Sequence, residues 1–266
     1  MISFNDFGNH GRLGNQMFQY SALTGIADYH SNEIMIPPLN KFDLRYKNDP
    51  NFKPGSTIHD CFSLNPNKFG IQNNVQTSIL KEPFKYEKQF VEECSGDINI
   101  HGYFQSEKYF KHIKDKIKCC FIFKDKIIDE YNSYEFKTNK AISLHIRRGD
   151  YLKVAKKRPG FLLPISYYKN ALDELQYKDK ICYIFSDDIH WCQQQDIFKT
   201  DNMVFVDKPD YMSLYLMTQC DYHIITNSTF SWWGAWLSNS KHIIAPKNWA
   251  SKFDWSDVYC EGWQIL

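Results

Sequence analysis

From Lys140 onward the chain repeats one pattern, and that repetition limits what it can fold into. A short apolar run is followed by a small polar or charged cluster, and then by a segment with helical spacing. The runs are "AISLHI", "ICYIFS", "MVFV", "YHIIT" and "KHIIAP"; the helical segments between them include "PISYYKNALDELQY", "DDIHWCQQQ", "DYMSLYLMTQC" and "STFSWWGAWLS". Parallel strands need long crossover connections, usually helices, and strands buried on both faces read as continuous apolar runs. Residues 139–266 are therefore expected to form a doubly wound parallel α/β sheet, with Pro164 opening one helix at its first turn. The first half is less regular. "ISF", "EIMIP" and "INIHGYF" read as strands, and "NQMFQYSALTGIADYH" places Met17, Tyr20, Ala22, Leu23 and Ile26 at helical spacing. "SEKYFKHIKDKI" and "DKIIDEY" read as helices, whereas Leu39–Phe90 is rich in Asn, Lys and Pro with weak periodicity. Two α/β lobes follow, 1–138 and 139–266, with a boundary near Thr138.

Charge decides what such a fold can attract. The chain has 32 Lys and Arg against 31 Asp and Glu, so no whole-molecule field draws in nucleic acid, and any anion site must be a local cluster. The N-terminal stretch "MISFNDFGNHGRLGNQ" has neither the basic nor the apolar region of a secretory signal, and no apolar run approaches a membrane span. The eight cysteines lack zinc-type spacing and several sit inside apolar segments, which points to free thiols in a reducing, cytoplasmic compartment.

Ligands of open α/β sheets gather at the carboxyl edge of the strands. Four strand candidates hand over there to similar clusters: "GNHGRLGNQ", "RRGDY", "SDD" and "NSTFSWWG". Asn227, Ser228 and Thr229 sit where a helix begins. Small hydroxyl residues there cap the helix, and the same groups with the helix N-terminus suit a diphosphate; both readings stand. Arg147 and Arg148 supply permanent, bidentate positive charge. Consecutive strand residues face opposite ways, so one arginine is expected to meet the ligand while the other pairs with Asp150 and holds the loop. Gly11 and Gly14 permit close backbone approach, and Asn15 and Gln16 add amide groups; "GRLGNQ" is neither a dinucleotide nor a P-loop fingerprint. Asp187 and Asp188 could bind a metal, cap a helix or accept from a sugar or base, and with no third carboxylate nearby a dedicated metal site is the weaker reading.

"GRLGNQMFQYSA", "HGYFQSEKYF", "HIRRGDY", "FSDD" and "TNSTFSWWGAWL", in that order, resemble the α-1,2-fucosyltransferases of glycosyltransferase family 11. The resemblance implies two Rossmann-like lobes facing a cleft, the GT-B arrangement, with an N-terminal acceptor side and a C-terminal lobe binding the nucleotide sugar. It implies GDP-L-fucose as donor substrate, no cofactor, no required metal, and inversion during transfer to the 2-hydroxyl of a galactose-terminated glycan. Carried over residue by residue, Arg147 grips the diphosphate and acts on the departing GDP. His145 approaches the nucleoside, Ser228, Thr229 and Phe230 place donors on the phosphates, and Asn15 with Gly14 reaches towards the donor. Arg148, Asp150, Asp187 and Asn227 complete the donor-side set.

Two features are less settled by this resemblance. Relatives carry an acid shortly before the cysteine of the "LMTQC" helix, where this chain has Ser213, so guanine recognition would pass to Asp210, Asp187 or backbone groups. A general base for direct displacement is sought among Glu107, His101, Asp6 and Asp43. Acceptor recognition is expected in Leu39–Phe90 and in the loop "KVAKKRPGFLLP", where Lys153, Lys156, Lys157 and Arg158 read first as a solvated charged loop. A lipid-linked acceptor would add peripheral membrane contact.

Overall fold

The computed structural model describes residues 1–9, 11–38, 55–72, 78–82, 85–158, 160–250 and 254–266. Asp43 and much of Leu39–Phe90 lie outside the described residues. The chain divides into two compact units, Met1–Asp125 with Asp254–Val258, and Lys126–Phe253 with Tyr259–Leu266.

The first unit contains β1 (Ile2–Ser3), α1 (Leu13–Tyr29), β2 (Ile34–Ile36), α2 (Ile58–Cys61), β3 (Lys68–Phe69), β4 (Ser78–Lys81), α3 (Lys88–Glu93), β5 (Ile98–His101) and α4 (Lys114–Cys120). Among the described residues its strands form one parallel sheet in the order β3–β2–β1–β5–β4. Helix α1 is buried almost all round, from Leu13 to Ala27, so its sequence is apolar on more than one face. The segment "SEKYFKHIKDKI" does not make the single helix expected of it. It breaks into tight turns at Glu107–Tyr109 and Lys111–Ile113 before α4 begins. Phe110, at φ −138°, leaves the helical region between them, and both Tyr109 and Phe110 are buried in the aromatic core. That core includes edge-on contacts of Phe4 with Phe7 and Phe104.

The second unit contains α5 (Asp125–Asn132), β6 (Ala141–Ile146), α6 (Gly149–Lys157), α7 (Ile165–Glu174), β7 (Ile181–Ser186), α8 (Ile189–Gln193), β8 (Met203–Val206), α9 (Asp210–Thr218), β9 (Tyr222–Ile224), α10 (Thr229–Ser238), β10 (His242–Ala245) and β11 (Gln264–Ile265). Its described strands are all parallel, in the order β8–β7–β6–β9–β10–β11. Numbered within the unit this is 3-2-1-4-5-6, the doubly wound order. Ile142, Leu144 and Ile146 of β6 pack with Cys182, Ile184, Ile224 and Ile244, and α7 covers them with Tyr168 and Leu172. Helices α9 and α10 are in close contact, and a Cβ on Gly234 would come within 2.8 Å of Met217.

Two further expectations need correction. The division falls after Asp125 instead of at Thr138, because the polar connection is anchored to the second unit. Tyr131 meets Tyr215 edge-on, Phe136 stacks on Tyr183 at 4.0 Å, and the Tyr211 hydroxyl donates to Glu130. The "RRGDY" and "KVAKKR" loops are instead continuous through α6, because Gly149–Lys157 lacks a helix breaker until Pro159. Strand β11 was not expected, being only two exposed residues long. The eight cysteines are free, and Cys61, Cys94, Cys182, Cys192 and Cys220 are buried.

A Cβ at Gly25 of α1 would lie 2.1 Å from the Tyr109 carbonyl oxygen. Alanine is favoured over glycine in a helix by about 1 kcal/mol, but overpacking against fixed backbone costs about 1–3 kcal/mol or more. Gly25→Ala should therefore lower the melting temperature, measurably by calorimetry, despite the better helix former.

Candidate functional site

In the second unit the connections from β6 and β9 run in opposite directions, and a doubly wound sheet opens a crevice at the carboxyl ends of such a pair. The chain puts its charge there. Strand β6 ends in Arg147 and Arg148, β7 in Asp187 and Asp188, and β9 leads through Thr226, Asn227 and Ser228 into α10.

Arg147 is held by two carboxylates. One terminal nitrogen, Nη2, donates to Asp150 Oδ1 at 2.6 Å, and Nη1 lies 2.8 Å from Asp187 Oδ2. Its guanidinium carbon lies 5.5 Å from the centroid of the Tyr151 ring. Asp150 thus pairs with Arg147, the arginine that the resemblance sets on the diphosphate, which changes the division of labour expected from strand alternation. The reason is that alternation stops at Ile146, where the strand ends and α6 begins to turn. Arg148 is committed elsewhere: Nε donates to Asp188 at 3.0 Å, and its guanidinium lies 3.8 Å from the Trp191 ring centroid. The Arg148 N–H donates to Asp187 Oδ1 at 2.8 Å. Asp188 also caps α8 by accepting from Trp191 N–H. Gly149 is required by this packing, because a Cβ would lie 2.4 Å from Asp187 Oδ2.

The start of α10 is capped by Ser228, whose hydroxyl accepts from Phe230 N–H. Ser228 and Asn227 are buried, while Thr229 and Phe230 are half-exposed at the helix end. No acid lies in the first turn. Asn227 is largely engaged in structure, with its amide donating to the Phe161 carbonyl and its own carbonyl accepting from the Tyr151 hydroxyl. His145, the penultimate residue of β6, is buried with its ring 5.6 Å from that of Phe230. Its Nδ1 is buried with no hydrogen-bond partner among the described residues. Burial, aided by the Arg147 charge, lowers its pKa to about 3, so it is neutral at pH 7. Ser213 lies buried on α9 with its hydroxyl donating to the Lys208 carbonyl, and Asp210, in the first turn of the same helix, accepts from Tyr211 N–H.

In the first unit Gly14 and Asn15 form the first turn of α1, and Asn15 Oδ1 accepts from Gln105 Nε2 at 2.9 Å. Gly11 precedes them at φ 94°, and a Cβ there would clash with the Asn15 side chain. Two of the candidate bases meet: Asp6 Oδ2 lies 2.6 Å from His101 Nδ1 at the carboxyl edge of β1 and β5. A carboxylate on Nδ1 is the arrangement that orients an imidazole for proton transfer. Glu107 is buried in the tight turn after β5, 8% exposed. Reading the sequence missed Tyr151, Trp191 and Glu82; Trp191 lies three residues after the acid that caps its helix, a spacing that signals the cap but not the stacking. Among the described residues, no group of three His, Cys, Asp or Glu side chains is disposed to hold a metal, and no helix is long and apolar enough to cross a membrane.

The description of glycosyl transferase family 11 matches residues 1–266, and the chain belongs to that family. An alpha-1,2-colitosyltransferase of Escherichia coli is 31% identical, with 90% of each chain covered. The galactoside alpha-(1,2)-fucosyltransferase 2 of Pongo pygmaeus is 25% identical over 88% of this chain and 68% of its own. The structure of Arabidopsis thaliana FUT1 in complex with GDP superposes with a TM-score of 0.55, covering 94% of this chain and 71% of that one at 11% identity. That last likeness is one of fold, and it agrees with the expected α/β, GT-B-type architecture.

The buried imidazoles of the second unit give the site a pH signature. Burial lowers His145 to about 3 and His223 to about 4. Below the unfolded value of 6.5 the unfolded chain takes up protons that the folded unit refuses, so stability falls as pH drops. The expected loss is about 3 kcal/mol per pH unit for the pair, between pH 6 and about 4. Urea titrations at pH 7, 6 and 5 would measure it, and replacing His223 by Asn should reduce the slope by about half.

Proposed function

We propose that this chain transfers L-fucose from GDP-L-fucose to the 2-hydroxyl of a galactoside, with inversion at the fucose anomeric carbon. The observation that carries this reading is that Arg147 and the start of α10 follow the neighbouring strands β6 and β9 at the switch point and are bridged by Tyr151, whose ring centroid lies 5.5 Å from the Arg147 guanidinium carbon and whose hydroxyl donates to the Asn227 carbonyl. A helix N-terminus beside a guanidinium is a diphosphate receptor made without a metal. Membership of the family and the named activities of its relatives support the choice of reaction.

In this mechanism the chemistry is driven by the leaving group. The bond from the anomeric carbon to the phosphate oxygen breaks, negative charge builds on the departing GDP, and the acceptor oxygen takes its place on the opposite face. Arg147 and the first N–H groups of α10 stabilise that charge. One preorganised donor of this kind is worth about 2.7–4 kcal/mol. Of the two carboxylates on Arg147, Asp150 is the more exposed, at 47% against 25% for Asp187. It is the one that yields to a phosphate, while Asp187 keeps the guanidinium aimed. Neutral His145 and Phe230 face the nucleoside. Asn15 and Gly14 approach the donor from the first unit, and the Asp6–His101 pair, ahead of Glu107, takes the acceptor proton.

The sugar has a second reading, favoured by the colitosyltransferase among the relatives. Colitose is L-fucose without its 3-hydroxyl, so the same diphosphate machinery serves either donor. A lipid-linked glycan is a natural acceptor for such a transferase, with peripheral membrane contact through the exposed Lys153, Lys156, Lys157 and Arg158 of α6 and its end.

GDP release, measured with lactose and EDTA, should depend on GDP-fucose and be insensitive to chelation. Arg147→Ala should lower kcat/KM by about 10²–10³-fold. Full activity in that variant would remove Arg147 from the reaction. A higher kcat/KM with GDP-colitose would assign the chain to the second sugar, and preference for UDP donors would sink both.

A further inference from the structure

Glu82 stands just past the end of β4, at the carboxyl edge of the first sheet. Its Oε2 accepts from both Tyr103 N–H and Phe104 N–H, each at 2.6 Å. These donors belong to the turn that leaves β5. Within it Phe104 sits at φ 54°, a left-handed conformation that a phenylalanine rarely adopts. Its ring is buried against Phe4 and Tyr109, so the side chain cannot leave to relieve the backbone. Gly102 opens the turn, and a Cβ there would fall 2.5 Å from Glu82 Oε2, so the carboxylate lies against bare backbone.

The turn is tied to α1 on both sides. Gly102 accepts through its carbonyl from Gln19 Nε2, and Gln105 donates through its amide to Asn15 Oδ1. One carboxylate therefore sets the turn whose next residue holds Asn15.

We infer that Glu82 is a positioning residue for the transfer reaction, fixing the Gly102–Gln105 turn so that Gln105 aims Asn15 at the donor, without itself touching substrate. This rests on the donor-side role proposed above for Asn15.

The surroundings support a role that ionisation adjusts. Glu82 lines a small recess of about 20 Å³ with Tyr86, Tyr109, Trp255 and Asp257. Burial raises its pKa to about 7, against the opposing pull of the two N–H groups from Phe104 and Tyr103. The ionisable groups facing it are the Tyr86 and Tyr109 hydroxyls and Asp257. Burial pushes Tyr109 far above the usual phenol range, so it stays neutral, and Asp257 is paired with Lys108. On the adjoining strand His101 is paired with Asp6. An ionised carboxylate holds two N–H groups about twice as strongly as a neutral one. The grip on the turn therefore tightens as pH rises through neutrality.

The test is calorimetric binding of GDP-fucose in EDTA, from pH 5.5 to 8.5. It compares wild type with Glu82→Gln, Glu82→Ala, Asn15→Ala, Arg147→Ala and the Glu82→Ala/Asn15→Ala double variant. Wild-type affinity should rise through about pH 7. Glu82→Gln, which keeps the shape and an acceptor oxygen, should stay at the low-pH level throughout. Glu82→Ala should bind about tenfold more weakly, from the loss of two hydrogen bonds, and the double variant no more weakly than Asn15→Ala. A pH limb that persists in Glu82→Gln, or losses that multiply in the double variant, would overturn the positioning role. Arg147→Ala keeps the two readings apart. If it binds like wild type, or if wild type does not bind at all, the donor site itself falls and the role of Glu82 with it. If it fails to bind while the Glu82 variants match wild type, only the positioning role falls. Should Glu82→Ala not fold, the pH profile of Glu82→Gln still decides.

Discussion

The structure of the second unit depends on one strand lying between two parallel partners. All six residues of β6 are buried, with β7 on one side and β9 on the other. A strand in that position leaves no place for a charged side chain along its length, where the only polar residues are Ser143 and the neutral His145, so the charged residues are expelled to its end. The opposite winding of the two halves then brings the residues past β6, β7 and β9 to the same edge. Arg147, Asp187 and Ser228 come from distant parts of the sequence and are neighbours only because β6 is central. The acidic restraint on Arg147 follows from the same geometry. A guanidinium at the mouth of a crevice has many rotamers, and two carboxylates leave it one. Ordering entropy that a ligand would otherwise have to overcome is already lost in the folded protein.

The organisation of the chain was readable where local pattern and tertiary demand agree. Continuous apolar runs identified the parallel strands because burial on both faces leaves no alternative, and "AISLHI", "ICYIFS" and "MVFV" are strands at the expected places. The polar clusters that follow them converge in space for the same reason. Pattern failed where a contact comes from far away. The segment after Asp125 reads as a helix running into a polar connection at the edge of the first lobe, yet Phe136 and Tyr131 bind it to the second unit through rings some fifty to eighty residues further on. "SEKYFKHIKDKI" has helical spacing, but Phe110 leaves the helical region at φ −138° and divides it into tight turns, which periodicity does not reveal. The pairing of Arg147 with Asp150 needed the exact point at which strand becomes helix, which no periodicity reveals. Glu82 was invisible altogether, because its partners are backbone N–H groups and carry no side-chain signature.

The family relationship bears on these details unevenly. Fold and reaction class follow from a match along the whole chain. The contacts that set Asn15, His145 and Arg147 are read from this structure and give the family resemblance a physical content, since each assigned residue has a neighbour that limits its motion. Asn15 has Gln105, His145 has Phe230, and Arg147 has its two carboxylates.

One passage of the chain has a consequence for how the protein is made. Residues 254–258 return to the first unit after the second is nearly complete. There Asp257 accepts from Tyr86 N–H and pairs with Lys108, and Asp254 pairs with Lys85 at 2.6 Å. A ribosome delivers those residues only after most of the second unit. At about 5–20 residues per second, the first unit waits on the order of ten seconds for them, although its sheet is already synthesised. Vectorial synthesis thus cannot finish the units in the order in which they are encoded. The second can consolidate most of its sheet while the first still holds an open flank, which closes only when residues 254–258 emerge.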